Sequence, residues 1–241
     1  EGVEADQLLR QADQAMYQAK QLGKNRFHVF DAEQDRSVRG HHESLARIRL
    51  ALDQHELVLY YQPKVNMRTG QVTGAEALIR WQHPSRGLLL PAEFLPVIET
   101  DPLAIAVGEW VIDTALAQIT LWHAAGLVLP VSVNVGAFQL QQPSFVAQLG
   151  TLLARQPQVA PSSLTLEVLE TSALQDIGYA SQVIDDCLQL GVAFALDDFG
   201  TGYSSLTYLK RLRVGLLKID QSFVRDMLDD PDDLAILQGV I

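Results

Sequence analysis

The sequence predicts an α/β domain of parallel strands joined by crossover helices, the arrangement of a (β/α)8 barrel. Two observations carry this expectation. From residue 56 onward, short runs rich in Val, Ile, Leu and aromatic residues alternate with longer runs of helical spacing. Each strand-like run also carries a polar or ionisable residue towards its end, and barrel enzymes assemble their sites at that edge. The strands are LVLYYQPKV (57–65), QVTGAEALIRW (71–81), VSVNV (131–135), LTLEVL (164–169), VAFALD (192–197) and GLLKID (215–220). Helical spacing covers 91–99, 103–125, 143–155, 176–190 and 222–228. Six strands fall short of an eight-stranded barrel, and the sequence stops inside the apolar run LAILQGVI. The expectation is that the last strands lie beyond residue 241.

The region before residue 56 has a different character. Leu8, Leu9, Ala12, Ala15, Met16 and Ala19 recur at helical spacing within 5–22, Gly23 ends the pattern, and RFHVF (26–30) reads as a short strand. One helix and one strand cannot bury a core, so 1–31 is expected to be the end of a domain lying upstream. Residues 31–43 read as a polar, loop-like connector. Leu45, Ile48 and Leu52 form a narrow apolar stripe on a connecting helix over 44–53. The expected division is 1–31, a linker at 32–53, and the main domain from 54 to 241.

Composition narrows the function. Of 241 residues, 48% are hydrophobic and 20% charged, as in globular proteins, and no apolar run approaches a membrane span. No signal peptide is visible, and the absent initiator Met suggests a piece of a longer protein. A net charge of −11 argues against binding a nucleic-acid polymer, which needs basic patches. It does not exclude a small anionic ligand if metal ions supply positive charge. The single cysteine, Cys187, sits in a helical pattern and reads as a small buried residue of a protein in a reducing compartment. His41 and His42 read as solvated, and none of the six histidines shows zinc-ligand spacing.

Strand periodicity collects the chemistry. Side chains two apart share a face. Glu76, Leu78 and Arg80 share one; so do Ser132 and Asn134, Thr165 and Glu167, Ala195 and Asp197, Leu216 with Lys218 and Asp220, and Tyr60 with Gln62 and Lys64. Burying Glu76, Glu167, Asp197 and Asp198 together is prohibitive without cations. These carboxylates, with the Asn134 carbonyl, are hard oxygen donors suited to Mg²⁺ or Mn²⁺ rather than zinc. Adjacent Asp197 and Asp198 allow one carboxylate to face each of two metals. The loop GTGYSS (200–205) has a G-x-G echo but lacks the strand–helix context of a dinucleotide site.

At these residues the sequence resembles the EAL-domain family, which hydrolyses cyclic di-GMP. The resemblance runs over about 45–241 and rests on YYQPKV (60–65), GAEALIRWQHP (74–84), PAEFLPVIE (91–99), VSVNV, LTLEVLE (164–170), LDDFGTGYSSL (196–206) and LKIDQSFV (217–224). It implies a TIM-like barrel of the EAL type. It implies that Glu76, Asn134, Glu167 and Asp197 bind one metal and that Asp198 serves the second, with Mg²⁺ or Mn²⁺ active and Ca²⁺ inhibitory. Lys218 would position the attacking water with support from Asp220; Glu76 and Asp197 complete the catalytic set. Gln62, Leu78, Arg80 and Asp220 fall at substrate-contacting positions, and Glu170 at one that holds the GTGYSS loop. The implied product is linear pGpG; a homodimer and a cytoplasmic location go with it. The segment ADQAMYQAKQLGKNRFHVF (12–30) is similar to the end of a GGDEF domain, which implies a GGDEF domain and a sensor upstream. Two positions depart from the family pattern: Leu169 replaces the usual Thr of Glu-x-Thr-Glu, and Arg213-Val214-Gly215 replaces Pro-x-Asp. The rival expectation is a receptor that binds cyclic di-GMP without cleaving it.

Overall fold

The computed structural model describes residues 32–200 and 211–228, with isolated positions at 9, 12, 16, 20, 230 and 237–239. The chain divides into two compact units, Glu1–Ile48 and Arg49–Ile241. In the first, Leu9, Ala12, Met16 and Lys20 are helical and exposed. The expected strand at 26–30 lies outside the described residues. The expected loop at 31–43 is a helix instead: α1 runs unbroken from Ala32 to Asp53. No Pro interrupts this segment and only one Gly does, so its polarity does not prevent a helix.

The second unit is built on one sheet with strand order β1-β2-β4-β5-β6-β7. These strands are β1 (Leu57–Val65), β2 (Val72–His83), β4 (Val131–Asn134), β5 (Leu164–Leu169), β6 (Ala193–Phe199) and β7 (Leu216–Ile219). A short β3 (Gly87–Leu89), not expected from the sequence, returns along β2. From β2 to β7 the main strands run parallel. β1 departs from expectation: it pairs antiparallel with β2, Gln62 opposite Glu76. The cause is the connection, residues 66–71, which is too short for the dozen or more residues a parallel crossover needs. Asn66 shapes that turn, its side-chain oxygen accepting from the backbone N–H of Arg68 at 2.9 Å and of Thr69 at 3.1 Å.

Crossover helices cover the sheet. They are α3 (Leu103–Ala124), α5 (Phe145–Arg155) and α7 (Ile177–Gln189), with short helices α2 (Leu95–Ile98), α4 (Ala137–Leu140), α6 (Glu170–Gln175) and α8 (Gln221–Asp226) between. By length and composition α3 could cross a membrane, contrary to the sequence expectation. Here it is a core helix that buries Val107, Val111, Ile112, Ala115, Leu116 and Ile119. Val131, Val133, Leu164, Leu166, Val168 and Phe194 meet such residues in a fully buried centre. Near-continuous apolar strands are what a sheet with both faces covered requires. The core holds the strand ends rigidly, and these ends carry the charged residues.

Candidate active site

Six strands deliver the site, with β1 contributing Lys64 and β7 Lys218. Glu76 leaves β2 at the level of Ser132 in β4. Asn134 of β4 lies opposite Glu167 of β5, and Leu169 opposite Asp197 of β6. Glu76 is therefore a mid-strand residue of β2, not an end residue as the periodicity suggested, because β2 runs on past β4 to pair with β3.

Lys218 of β7 gathers three carboxylates. Its ammonium donates to Glu76 Oε2 at 3.0 Å, Glu167 Oε2 at 2.5 Å and Asp197 Oδ2 at 2.9 Å. Each carboxylate is anchored through its other oxygen. Glu76 Oε1 accepts from the Asn134 amide at 2.9 Å. Asp197 Oδ1 accepts from the backbone N–H of Asp198 at 3.0 Å. Glu167 Oε1 accepts from Lys64 at 3.2 Å, and Lys64 also donates to Ser132 Oγ. Glu167 is 0% exposed, so these two lysines supply the cations that its burial demands. Burial alone would lower the pKa of Lys218. Its hydrogen bonds to Glu167 and Asp197 outweigh it and raise the pKa above the ordinary lysine value.

Asp197 and Asp198 reach the same edge through a bulge. The β6–β7 register shifts between Leu196 and Phe199, and Asp198 has φ +52°, in the left-handed region. A regular strand would point consecutive side chains to opposite faces; the bulge re-aims them at a backbone cost. Asp198 meets Asp220 at the margin of the Lys218 cluster. Its pKa is raised, first by burial and then by repulsion from Asp197 and Asp220. The pKa of Asp220 is lowered by hydrogen bonds from Ser222, whose backbone N–H it accepts at 2.8 Å as the N-cap of α8.

Gln62 stands across from Glu76, and Leu78 across from Tyr60, on one face of the β1–β2 hairpin. Arg80 lies 5.9 Å from the Tyr60 ring centroid and donates to its neighbour's carbonyl, Ile79 O, at 2.8 Å. A cavity of about 500 Å³ borders Asn134 and Glu167; Ala77, Leu78, Leu95, Val107, Val135 and Phe138 line it, and Leu169 is at its edge. Glu170, 2% exposed at the start of α6, accepts from the backbone N–H of Gly200 at 3.0 Å. Of the GTGYSS loop, residues 201–205 lie outside the described residues.

The sequence set Lys64 and Ser132 on the right faces but gave them no role. The signal was the two-residue period that ties Lys64 to Gln62. Among the described residues, Glu76, Glu167 and Asp197 offer ligand oxygens all within 4.8 Å of one another. A compact set of hard oxygen donors fits an octahedral ion such as Mg²⁺ or Mn²⁺.

A parallel-rich α/β barrel sheet with a carboxylate–lysine cluster built from several strands defines a barrel domain whose acidic centre could hold a metal ion. The chain belongs to the EAL domain family, which matches residues 45–241. It is 39% identical over 242 residues to the bifunctional diguanylate cyclase/cyclic di-GMP phosphodiesterase MucR of Pseudomonas aeruginosa, covering 100% of this chain and 35% of that protein. It is 37% identical over 241 residues to the cyclic di-GMP phosphodiesterase PdeR of Escherichia coli, covering 100% and 36%. The solved structure of the PaMucR phosphodiesterase in complex with c-di-GMP superposes with a TM-score of 0.78 at 41% identity, over 82% of this chain and 80% of that one. The chain spans about a third of the length of these curated relatives.

Proposed function

We propose that this chain is a phosphodiesterase that cleaves cyclic di-GMP to linear pGpG, using two bound Mg²⁺ or Mn²⁺ ions. One observation carries the reading: carboxylates from β2, β5 and β6 converge on a single lysine in a chain of the EAL family. When bound, the two ions supply the positive charge that makes water nucleophilic near neutral pH and that steadies the attacking and leaving oxygens. Glu76, Asn134, Glu167 and Asp197 would hold one ion and Asp198 the other. Its hydrogen bonds keep Lys218 charged, so it acts as a donor that orients the attacking water rather than as a base. Asp220 holds the end of β7 in place through its cap on α8. Gln62, Leu78 and Arg80 orient the substrate. Glu170 fixes the backbone at Gly200, where the loop begins, and the loop carries signals from a homodimer interface. The domain works in the cytoplasm, downstream of a GGDEF domain and a sensor in the same protein. Ca²⁺, larger and less strict in geometry, would bind without supporting turnover.

The test is chromatographic. Cyclic di-GMP incubated with the protein and Mg²⁺ or Mn²⁺ is expected to give linear pGpG, and Ca²⁺ little of it. Asp197→Asn removes a ligand outright, so its loss is expected to exceed the ~100-fold typical of an outer-shell change. Metal-dependent activity surviving in that variant sinks the assignment. Tight binding without product makes the domain a receptor.

A further inference from the structure

The three carboxylates of the cluster are anchored from behind by three different donors. Glu76 has a neutral amide, Asp197 a backbone N–H, and Glu167 an ammonium. The charged anchor falls on the fully buried carboxylate of the three. It also reaches Glu167 from the opposite side to Lys218: Lys64 takes Oε1, while Lys218 takes Oε2 together with the inward oxygens of Glu76 and Asp197. A cation entering the cluster competes with Lys218 for those inward oxygens. It does not compete with Lys64.

We propose that Lys64 is a positioning residue for the metal centre. Fixed by Ser132 and bonded to the far oxygen of Glu167, it aims the near oxygen at the ion. The inference rests on the metal-dependent reading above and adds a residue to it. Three features support it. Lys64 comes from β1, the antiparallel strand, so the hairpin is tied to β5 through this contact and the contact spans 103 residues of sequence. Ser132, 2% exposed, offers its hydroxyl to the ammonium and so fixes where a flexible side chain ends. The side chain of Lys64 is 30% exposed, so holding Glu167 does not require its own complete desolvation. A ligand carboxylate with a hydrogen-bond partner behind it is oriented before the ion arrives, and losing such a partner typically costs about 10–100-fold in metal affinity or activity.

The experiment is Mn²⁺ binding by titration calorimetry on the wild type, Lys64→Met, Lys64→Arg and Ser132→Ala, with thermal melts in EDTA alongside. Lys64→Met is expected to weaken Mn²⁺ binding by about 10–100-fold. Lys64→Arg is expected to restore most of it, and Ser132→Ala, which leaves the charge but loosens it, to cost several-fold. For hydrolysis, excess Mn²⁺ is expected to recover kcat of Lys64→Met with KM for cyclic di-GMP unchanged. If Lys64→Met does not fold, Ser132→Ala decides: binding equal to wild type overturns the proposal. A folded Lys64→Met with wild-type affinity also overturns it, and leaves the phosphodiesterase reading standing. A wild type that binds no Mn²⁺ overturns both. A wild type that binds Mn²⁺ without cleaving cyclic di-GMP overturns the phosphodiesterase reading alone, because the calorimetric comparison still reads Lys64.

Discussion

Glu167 and Cys187 are both 0% exposed, and the protein treats them in opposite ways. Glu167 is bracketed by two ammonium groups, one on each oxygen. For Cys187, on α7, burial followed by the nearby Asp186 pushes the thiol from 9.0 up to about 12. Burial therefore does not decide which groups are charged; the partners do. Glu170 lies between these extremes. It is also buried, and a backbone N–H is the hydrogen-bond donor to its carboxylate. Each of the three treatments makes a different prediction for what substitution does.

The largest effect is expected where a charge partner is taken away. Lys218→Met leaves Glu76, Glu167 and Asp197 converging with no ammonium between them. Removing one side of a buried ion pair costs about 3–5 kcal/mol, and Lys218 keeps 23% of its side chain exposed, so about 3 kcal/mol is expected. For a domain of this size that is roughly 6–12 °C in Tm, measured in EDTA. Mn²⁺ is expected to recover more of the melt in this variant than in wild type, since the ion then supplies the missing charge. An unchanged Tm in EDTA would break the comparison, because the carboxylates would not depend on the lysine.

A smaller effect is expected at Glu170. Glu170→Gln keeps an oxygen for the Gly200 N–H but gives up the charge. Hydrogen bonds to charged groups exceed neutral ones by about 1 kcal/mol. The expected loss is therefore about 1 kcal/mol, or roughly 2–4 °C in Tm. A loss as large as that of Lys218→Met would mean that Glu170 meets a cation as well as the backbone.

The comparison also explains what could be read in the sequence. Period-two alternation put Glu167, Asp197 and Lys218 on the correct faces, because a strand leaves side chains only two directions. β1 and β5 match their expected bounds, since apolar runs of that length between turn residues have few alternatives. What stayed hidden depends on backbone detours and on long-range pairing. A bulge at Asp197–Asp198 breaks alternation, so strict period two does not foretell that Asp198 meets Asp220 beside the cluster. The antiparallel sense of β1 follows from the length of the 66–71 connection, which reading for parallel strands passed over. The Lys64–Glu167 contact joins residues on strands that are not sheet neighbours, and no local pattern encodes it. Helix α1 was hidden over 32–43 because a polar helix without an apolar stripe has the composition of a loop.

The smallest effect belongs to Cys187, and it is a slope rather than an offset. Below about pH 8 the thiol is protonated in folded and unfolded chains alike, so its contribution to stability is constant. Above its usual 9.0 the unfolded thiol ionises, while the folded one resists up to about 12. The unfolded chain then binds fewer protons, and stability falls as pH rises through that window. Tyr61, raised by burial from 10.0 to about 12, adds a fall of the same sign that sets in about one pH unit later than the thiol's. Denaturant melts between pH 8 and 10 therefore carry the thiol first and the phenol only towards the upper end. Cys187→Ala is expected to flatten the decline between pH 9 and 10 and leave the steeper decline above it. An identical slope in both proteins would mean that the thiol ionises as readily inside α7 as in water. The neutral half of the comparison would then be lost.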